Sequence, residues 1–295
     1  MLDVVIIGSG PAGITAAIYA KRANLNVAVV EKEYLGTGQI AESSRVDNYP
    51  GIPGIVGEKF REHAESLGVE FTEAQVLSLG QKDGIWIIGC DEDITLESKA
   101  VIYATGCKNR PLGVPGEEKY YGRGLSFCAV CDGAFYKGKR VAVIGGGDTA
   151  LDDAMYLSDI CEKVYLVHRR EFFRGSASTL EKLKQKENVE IIVNARVEEI
   201  TGDKKIDGII LDNKTKLNIS GLFAAVGMIP QTELLKEFGV LDESNYVKAS
   251  EDTKTTVNGL FAAGDVRTKQ LRQVVTAAAD GANAIYSVME YLRNI

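Results

Sequence analysis

Short apolar runs alternate with glycine-rich turns and amphipathic segments along the chain. The first apolar run, at 4–7, leads into the glycines of 8–13, a helical pattern at 14–22 and a second apolar run at 27–30. Continuous β-branched runs of this length are typical of parallel strands that are buried on both faces. The opening of the chain therefore predicts a strand–turn–helix–strand unit of the kind that binds dinucleotides.

The same pattern returns in the middle of the chain. An apolar run at 140–144 leads into Gly145-Gly146-Gly147, a helical pattern at 150–157 and another apolar run at 163–167. Two such units mean two bound nucleotides, or one nucleotide and a copy that has lost its ligand. The pattern predicts an α/β protein with two Rossmann-like dinucleotide-binding domains, each a three-layer ββα arrangement.

The remaining segments suggest how the two domains are connected. Short antiparallel strands are expected at 69–71, 75–79, 85–90 and 95–97, and a long alanine-rich helix from about Gln273 to Leu292. Prolines at 109–116 and a polar junction at 239–246 predict the domain boundaries. We expect the second domain, 114–244, to be inserted into the first, which would comprise 1–113 and 245–295.

Composition narrows the functional classes. The 295 residues are 45% hydrophobic and 25% charged, as in a folded globular protein, and the net charge is −7. An acidic chain is a poor match for nucleic acid or anionic membranes, and no apolar run approaches the roughly 20 residues that span a bilayer. Because the N-terminal apolar run lacks a basic leader, we interpret it as a buried strand and expect a cytoplasmic protein.

Among the five cysteines, only Cys128 and Cys131 are close together, and Asp132 follows directly. A dithiol must lose a proton to become a nucleophile, so a neighbouring carboxyl group is useful to it. The pattern predicts a redox-active pair served by Asp132. The alternative, half of a zinc site, needs two further ligands at defined spacing, and the other cysteines, Cys90, Cys107 and Cys161, are isolated. We expect no metal.

The residues after each second strand differ between the two units. Glu31 ends the second strand of the first unit, where its carboxylate can accept hydrogen bonds from an adenosine ribose. The second unit has His168, Arg169 and Arg170 there, with Arg174 close behind. Guanidinium groups bind a 2′-phosphate, so this unit favours NADPH over NADH. The alternatives are a solvated basic cluster in the second unit and a tight turn without a ligand in the first.

Several motifs together resemble the low-molecular-weight thioredoxin reductases, the bacterial type of flavoprotein disulfide reductase, over essentially the whole chain. The matching stretches are GSGPAG at 8–13, GTGQ at 36–39, DNYPG at 47–51, ATG at 104–106, CAVCDG at 128–133, GGGDTA at 145–150, HRR at 168–170, Arg174, GLFAAGD at 259–265 and Arg272-Gln273. The CxxC-Asp-Gly just before the second glycine turn is the most specific of these. Departures include few glycines at 33–38, Gly175 in place of alanine, and Asp152-Asp153 in place of glutamates.

The resemblance implies FAD on the first domain, NADPH on the second, a homodimer, and thioredoxin as the protein substrate. It implies that Cys131 exchanges electrons with the flavin, that Cys128 attacks the substrate disulfide, and that Asp132 donates and accepts the proton. The implied FAD contacts are Gly8, Gly10, Pro11, Ala12, Gly13, Glu31, Lys32, Gly38, Gln39, Asn48, Thr105, Gly106, Gly264, Asp265, Arg272 and Gln273. The implied NADPH contacts are Gly145, Gly147, Asp148, Thr149, His168, Arg169, Arg170 and Arg174.

Three alternatives keep this fold but change the function. The donor can be reduced ferredoxin, as in relatives whose NADPH site is altered; the partner can be a peroxiredoxin or a glutaredoxin-like protein; or the chain can be a dithiol oxidase. A flavoprotein that only binds or senses has no need of a dithiol. Because the cysteine pair and the nicotinamide both belong to the inserted domain and both must reach the flavin, we predict that this domain rotates about the linkers near 113–117 and 239–246.

Overall fold

The computed structural model describes residues 1–33, 36–42, 46–52 and 54–295. The helices are α1 (Pro11–Arg22), α2 (Gly57–Ser66), α3 (Ala129–Asp132), α4 (Asp148–Ser158), α5 (Ala177–Lys184) and α6 (Val274–Leu292). The strands are β1 (Leu2–Ile7), β2 (Val27–Glu31), β3 (Glu70–Glu73), β4 (Val76–Lys82), β5 (Ile85–Cys90), β6 (Thr95–Tyr103), β7 (Cys107–Asn109), β8 (Leu125–Ser126), β9 (Arg140–Gly145), β10 (Lys163–Val167), β11 (Val189–Ile192), β12 (Val197–Gly202), β13 (Ile206–Leu211), β14 (Lys216–Asn218), β15 (Gly221–Ala225), β16 (Met228–Pro230) and β17 (Leu260–Ala262). Of the glycine-poor segment at 33–38, residues 34 and 35 lie outside the described residues.

The chain divides into two compact units. One comprises Met1–Lys108 and Ile229–Ile295, and the other comprises Asn109–Met228. The chain passes from one unit to the other within β7 and returns within β16, and these two short strands pair with each other.

In the first unit, β3, β2, β1 and β6 form a parallel sheet, which β17 extends beside the last residues of β6. Alternate residues of β1 enter different cores. Val4 and Ile6 pack towards the helices, and Val5 and Ile7 pack towards the layer that contains β5. Burial on both faces explains why this strand is a continuous β-branched run instead of an alternating one.

The second unit repeats this construction. Strands β11, β10, β9, β15 and β8 form a parallel sheet, and β12, β13 and β14 form a separate antiparallel sheet. Val141 and Val143 of β9 pack towards α4, whereas Ala142 and Ile144 pack towards the antiparallel layer. The predicted α/β class with two Rossmann-like units is confirmed.

The structure corrects two predictions about strands. The segment expected as an antiparallel strand at 69–71 is β3, which pairs parallel to β2 with Ala28 opposite Glu70. The segment expected as a separate strand at 95–97 is the first part of β6. That strand continues to Tyr103 because it changes partners, pairing with β5 at its start and with β17 at its end.

The boundaries of the two compact units differ from the predicted domain limits of 113/114 and 244/245. The chain leaves the first unit five residues earlier and returns to it at Ile229. Residues 229–244 belong to the first unit because Leu235 and Val240 are buried in its core, where the ring of Phe238 lies 5.7 Å from that of Trp86. Because the sequence at 239–246 is polar, this region was predicted to be a domain boundary and not part of a packed core.

In the part of the chain that the structure describes, no helix combines the length and the apolar character needed to cross a membrane.

Candidate active site

The first glycine turn connects β1 to α1 with the backbone closely packed. Gly8 has φ +101°, and a Cβ there would lie 2.6 Å from the carbonyl oxygen of Ala104. A Cβ on Gly13 would lie 1.9 Å from the carbonyl oxygen of Gly8. Among the described residues, no side chain caps α1, and Pro11 stands at its start. The backbone N–H groups at this helix end are therefore available for a pyrophosphate.

Glu31 lies beside this turn, as the spacing predicted. Its Oε2 accepts hydrogen bonds from the backbone N of Ser9 at 3.0 Å and from Ser9 Oγ at 2.8 Å. Ser9, which the sequence analysis did not select, thus holds the carboxylate at the edge of the glycine turn. Lys32 forms an exposed ion pair with Glu33.

Several predicted flavin-contacting residues meet around Cys107. Gln39 Nε2 donates to the carbonyl oxygen of Cys107 at 2.5 Å, and Cys107 Sγ donates to the carbonyl oxygen of Asp265 at 2.9 Å. The same Asp265 oxygen accepts from Arg272 Nε at 3.3 Å. Burial raises the pKa of the Cys107 thiol to about 12, so the thiol is a hydrogen-bond donor and not a nucleophile.

Other residues that were predicted to contact the flavin form hydrogen bonds within the first unit. Asn48 Nδ2 donates to Gln273 Oε1 at 2.8 Å, which joins the loop after β2 to the start of α6. Thr105 Oγ1 donates to the carbonyl oxygen of Gln231 at 2.7 Å, and the carbonyl oxygen of Gly106 accepts from the Gln231 backbone N. Gln231 lies in the segment that the predicted boundary assigned to the other domain.

The carboxylate of Asp265 fits a bound flavin. Its Oδ1 is buried, and none of the described residues forms a hydrogen bond with it. Burial raises the pKa of Asp265 to about 6, while Lys269 and Arg272 act in the opposite direction. Because a buried polar atom without a partner is costly, this oxygen needs a hydroxyl donor, which the ribityl chain of FAD would supply.

Asp280 on α6 anchors the turn that carries Asp265. Its Oδ2 accepts from the Gly264 backbone N at 2.9 Å, from Arg267 Nε at 2.8 Å and from Lys269 Nζ at 2.9 Å. Its Oδ1 accepts from Arg267 Nη2 at 2.6 Å. Burial opposes ionisation, but the hydrogen bonds from Arg267 and Lys269 hold the pKa of Asp280 below its ordinary value. Asp280, Arg267 and Lys269 belong to no recognisable motif, so this cluster was not predicted.

The cysteine pair lies at the start of α3 in the second unit. Cys128 and Cys131 are joined in a disulfide, and the Cys131 backbone N donates to Cys128 Sγ at 3.2 Å. Gly133 allows α3 to pack closely on α4, since a Cβ there would lie 2.7 Å from the ring of Tyr156.

Ser126 connects Asp132 to the cysteine pair. Its hydroxyl donates to Asp132 Oδ2 at 2.6 Å and accepts from the Cys128 backbone N at 3.1 Å. The carboxylate next to the disulfide is therefore fixed by a buried hydroxyl on β8. Sequence reasoning did not select Ser126, although it lies only two residues before Cys128.

The second glycine turn has the same features as the first. A Cβ on Gly145 would lie 2.3 Å from the carbonyl oxygen of Ala225. Within the described ranges, no side chain caps the start of α4. Asp148 Oδ1 accepts from the Ser176 backbone N at 2.7 Å. Thr149, the next residue, lies exposed in the first turn of α4.

His168 takes the position in the second unit that Glu31 has in the first. Strand pairing aligns Val167 with Ile144 as it aligns Val30 with Ile7, so the next residues correspond. The His168 ring is buried, stacks 4.8 Å from the ring of Phe173 and fills the space beside Gly146. Burial lowers the pKa of His168, and the nearby arginines lower it further. Both effects disfavour a charge on His168, and the exposed side chains of Arg169, Arg170 and Arg174 supply positive charge beside this turn.

Together these features define a protein of the two-nucleotide disulfide reductase type, and comparison with known proteins agrees. Residues 2–281 match the family described as pyridine nucleotide-disulphide oxidoreductase, and the chain belongs to this family. Membership confirms the predicted class of oxidoreductase, and it supports the predicted cofactors, FAD and NADPH.

Individual relatives are similar over their full length. The chain is 40% identical to a thioredoxin reductase of Helicobacter pylori, with 100% of each chain covered. It is 38% identical to a thioredoxin reductase of Bacillus subtilis, covering 99% of this chain and 95% of that protein. A crystal structure of thioredoxin reductase from Streptococcus pyogenes has a TM-score of 0.93 at 39% identity, covering 100% of this chain and 99% of that one.

Proposed function

We propose that this chain is a thioredoxin-disulfide reductase that takes electrons from NADPH and passes them through FAD and the Cys128–Cys131 pair to the disulfide of thioredoxin. The observation that carries the proposal is the Cys128–Cys131 disulfide with the Asp132 carboxylate held beside it by Ser126. The similarity to thioredoxin reductases over the full length supports thioredoxin as the substrate.

The two nucleotides occupy separate units in this proposal. The first glycine turn, Glu31 and the Asp265 carboxylate hold FAD, and the second turn with the arginines at 169, 170 and 174 holds NADPH. Bound FAD supplies the conversion of a two-electron hydride transfer from NADPH into reduction of a disulfide. Guanidinium groups next to the second turn favour the 2′-phosphate that distinguishes NADPH from NADH.

The reduced cysteine pair then exchanges with the substrate. The Cys128 thiolate attacks one sulfur of the substrate disulfide, and the other substrate sulfur leaves as a thiolate. The Cys131 thiolate then attacks Cys128 Sγ, which releases the second substrate sulfur and restores the Cys128–Cys131 disulfide. The two protons given up by the pair go to the two substrate sulfurs, and Asp132 carries them.

Two exposed apolar side chains flank the disulfide and support a protein substrate. Val130, between the two cysteines, is 62% exposed, and Phe135, shortly after them, is 59% exposed. Exposed apolar groups next to a reactive disulfide are suited to docking another protein. We assign this surface to thioredoxin.

The proposal requires the second unit to move. The cysteine pair and the arginine cluster both belong to the unit formed by 109–228, whereas the residues proposed to hold FAD belong to the other unit. Both must reach the flavin in turn, so the second unit rotates about the two passages in β7 and β16. A cross-link that fixes the units to each other would abolish turnover and spare FAD binding; undiminished turnover would contradict the rotation.

The central experiment separates the two half-reactions. The purified protein is expected to be yellow, to be bleached by NADPH and to be reoxidised by oxidised thioredoxin. In Cys131→Ser, NADPH should still reduce the flavin, whereas thioredoxin reduction should be lost. Cys161→Ser is the matched control, because Cys161 is a buried thiol of the same unit outside the disulfide. A Cys131→Ser protein that reduced thioredoxin at the parental rate would refute the proposed path.

The donor is tested by comparing NADPH with NADH in steady-state kinetics. Arg169→Ala and Arg170→Ala should raise KM for NADPH and leave KM for NADH nearly unchanged. Reduction by ferredoxin but not by NADPH would replace this donor with the alternative one.

We also propose that the protein is a cytoplasmic homodimer. Tyr19 on α1 and Tyr286 on α6 are large exposed side chains of the first unit, which supports an association surface there. Sedimentation velocity that showed a monomer at micromolar concentration would contradict this assembly.

A further inference from the structure

The loop between β10 and α5, residues 168–176, is fixed by contacts of its backbone. The carbonyl oxygen of Phe172 accepts a hydrogen bond from His168 Nε2 at 3.1 Å. The Arg174 backbone N donates to the carbonyl oxygen of Gly146 in the second glycine turn at 2.7 Å. The ring of Phe173 lies 4.8 Å from the His168 ring, at an angle of 34° to it. The loop therefore has a defined path beside the nucleotide turn.

Phe172 projects from this ordered loop into solvent. Its side chain is 76% exposed, the largest value for a large hydrophobic residue in the described part of the chain. Phe173, the next residue, packs inward against the core around Leu166 and Leu183. Two adjacent aromatic rings thus point in opposite directions, and only the inner one contributes to the core.

The surroundings of Phe172 indicate what covers it. Arg169, Arg170 and Arg174 lie exposed in the same loop together with one acid, Glu171, so the exposed aromatic ring belongs to a loop with a net positive charge. A ligand that satisfies both features combines phosphate with a flat aromatic ring. In dinucleotide-binding units, the adenosine end lies beyond the second strand, and here that strand is β10, which ends directly before this loop.

We propose that Phe172 is a stacking platform for the adenine ring of the pyridine dinucleotide. The inference rests on the proposed function, because it assumes that the second glycine turn binds NADPH. The arginines would bind the phosphorylated ribose and Phe172 would cover one face of the adjacent base. Phe172 would thus contribute affinity for the adenosine half of the ligand and none for the nicotinamide half.

The test compares binding of three ligands to the holoenzyme by calorimetry: NADPH; 2′,5′-ADP, which carries only the adenosine half; and reduced nicotinamide mononucleotide, which lacks adenine. Phe172→Ala should weaken the binding of NADPH and of 2′,5′-ADP about tenfold each, because it removes the stacking of the base on the aromatic ring. Binding of the mononucleotide should not change. Phe172→Trp should retain wild-type affinity, and 2′,5′-ADP should quench its added fluorescence above the background from buried Trp86.

Phe135→Ala is the matched control, because Phe135 is an exposed phenylalanine of the same unit beside the disulfide instead of the glycine turn. Its dissociation constants for all three ligands should equal those of the wild type. Wild-type affinity of Phe172→Ala for 2′,5′-ADP, or an equal loss in Phe135→Ala, would overturn the role of Phe172 while leaving the proposed donor intact. A wild-type protein that binds neither NADPH nor 2′,5′-ADP would instead refute the proposed donor, and the inference with it.

Discussion

At the scale of single residues, Ser126 gives the redox site its fixed geometry. One hydroxyl bonds both the Asp132 carboxylate and the backbone N–H of Cys128, so the proposed proton carrier and the proposed attacking cysteine share a support. Hydrogen bonds to charged groups contribute about 1.5–3 kcal/mol, more than most neutral ones.

Ser126→Ala should therefore slow the exchange with thioredoxin about tenfold or more, because Asp132 loses the group that orients it. Rapid-mixing experiments should show this as slower reoxidation of the prereduced enzyme by thioredoxin, with reduction of the flavin by NADPH unchanged. Ser158→Ala removes another buried hydroxyl of the same unit, one that donates to the carbonyl oxygen of Met155 in its own helix, and should leave both rates near wild type. Equal effects of the two substitutions would show that Ser126 acts only through folding.

Asp153 on α4 is a buried acid of the second unit. Burial, and secondarily the charge of Asp152, raises the pKa of Asp153 to about 7. A raised folded-state pKa contributes stability that is complete below the unfolded pKa and is lost as pH rises through the folded pKa. Stability thus falls as the pH rises from about 4 to about 7, because in this range the unfolded chain has released the Asp153 proton and the folded protein still holds it.

Asp153→Asn should consequently be more stable than wild type at about pH 8, and this advantage should shrink by about 2 kcal/mol on going to pH 5.5. Urea unfolding of both proteins at the two pH values measures the difference between their free energies of unfolding. The contributions of the other titratable groups cancel, because both proteins contain them. Asp152→Asn removes only the secondary cause of the raised Asp153 pKa, so its stability relative to wild type should change less with pH. A stability difference independent of pH would contradict the raised pKa.

At the scale of elements, α6 controls the shape of the turn that carries Asp265. Asp280, on the second turn of α6, reaches back to the Gly264 backbone N and to Arg267 and Lys269, all of them buried. Removal of one partner from such a cluster leaves uncompensated charges in the interior, which costs about 3–5 kcal/mol.

Asp280→Ala should lower the free energy of unfolding by this amount and should weaken FAD binding, because the turn loses its anchor. The comparison is Glu290→Ala on the same helix, which breaks the exposed pair with Lys254 and should cost at most about 1 kcal/mol. Chemical denaturation and the retention of flavin on gel filtration provide the two readouts. A loss for Asp280→Ala no larger than that for Glu290→Ala would show that the cluster is not important.

The elements also show which parts of the molecule could be predicted from sequence. The glycine turns, the strands around them and α6 were predicted because their signals are local: apolar runs, glycines and helical periodicity. The anchoring of the turn by Asp280 and the contact of Cys107 with Asp265 were not predicted. They join residues that are separated in sequence and that form no recognisable pattern. The predictions of an antiparallel β3 and of a separate strand at 95–97 were wrong for the same reason, because strand pairing depends on partners that are distant in sequence.

At the scale of the whole molecule, the two units differ in how the chain forms them. The second is one continuous segment, 109–228, with two cores of its own on the two faces of its sheet. The first is assembled from both ends of the chain, and α6 from the C-terminal segment packs against α1 from the N-terminal one.

The isolated segment 109–228 should therefore fold alone, as a continuous unit with its own core is expected to do. Circular dichroism should show a cooperative thermal transition, and the Cys128–Cys131 disulfide should form on air oxidation. The segment 1–108 without 229–295 is the counterpart and should fail to fold, because α1 would lose its packing partner. A non-cooperative transition in 109–228 would show that the second unit depends on the first.

The backbone contacts of the loop after β10 have a consequence for engineering. Gly146 receives the Arg174 amide through its carbonyl oxygen, while the guanidinium groups themselves stay in solvent. The path of this loop and its charge are thus encoded separately. On the proposed function, a designer who wishes to change the coenzyme from NADPH to NADH can exchange the arginines as surface residues and leave the path of the loop as it is.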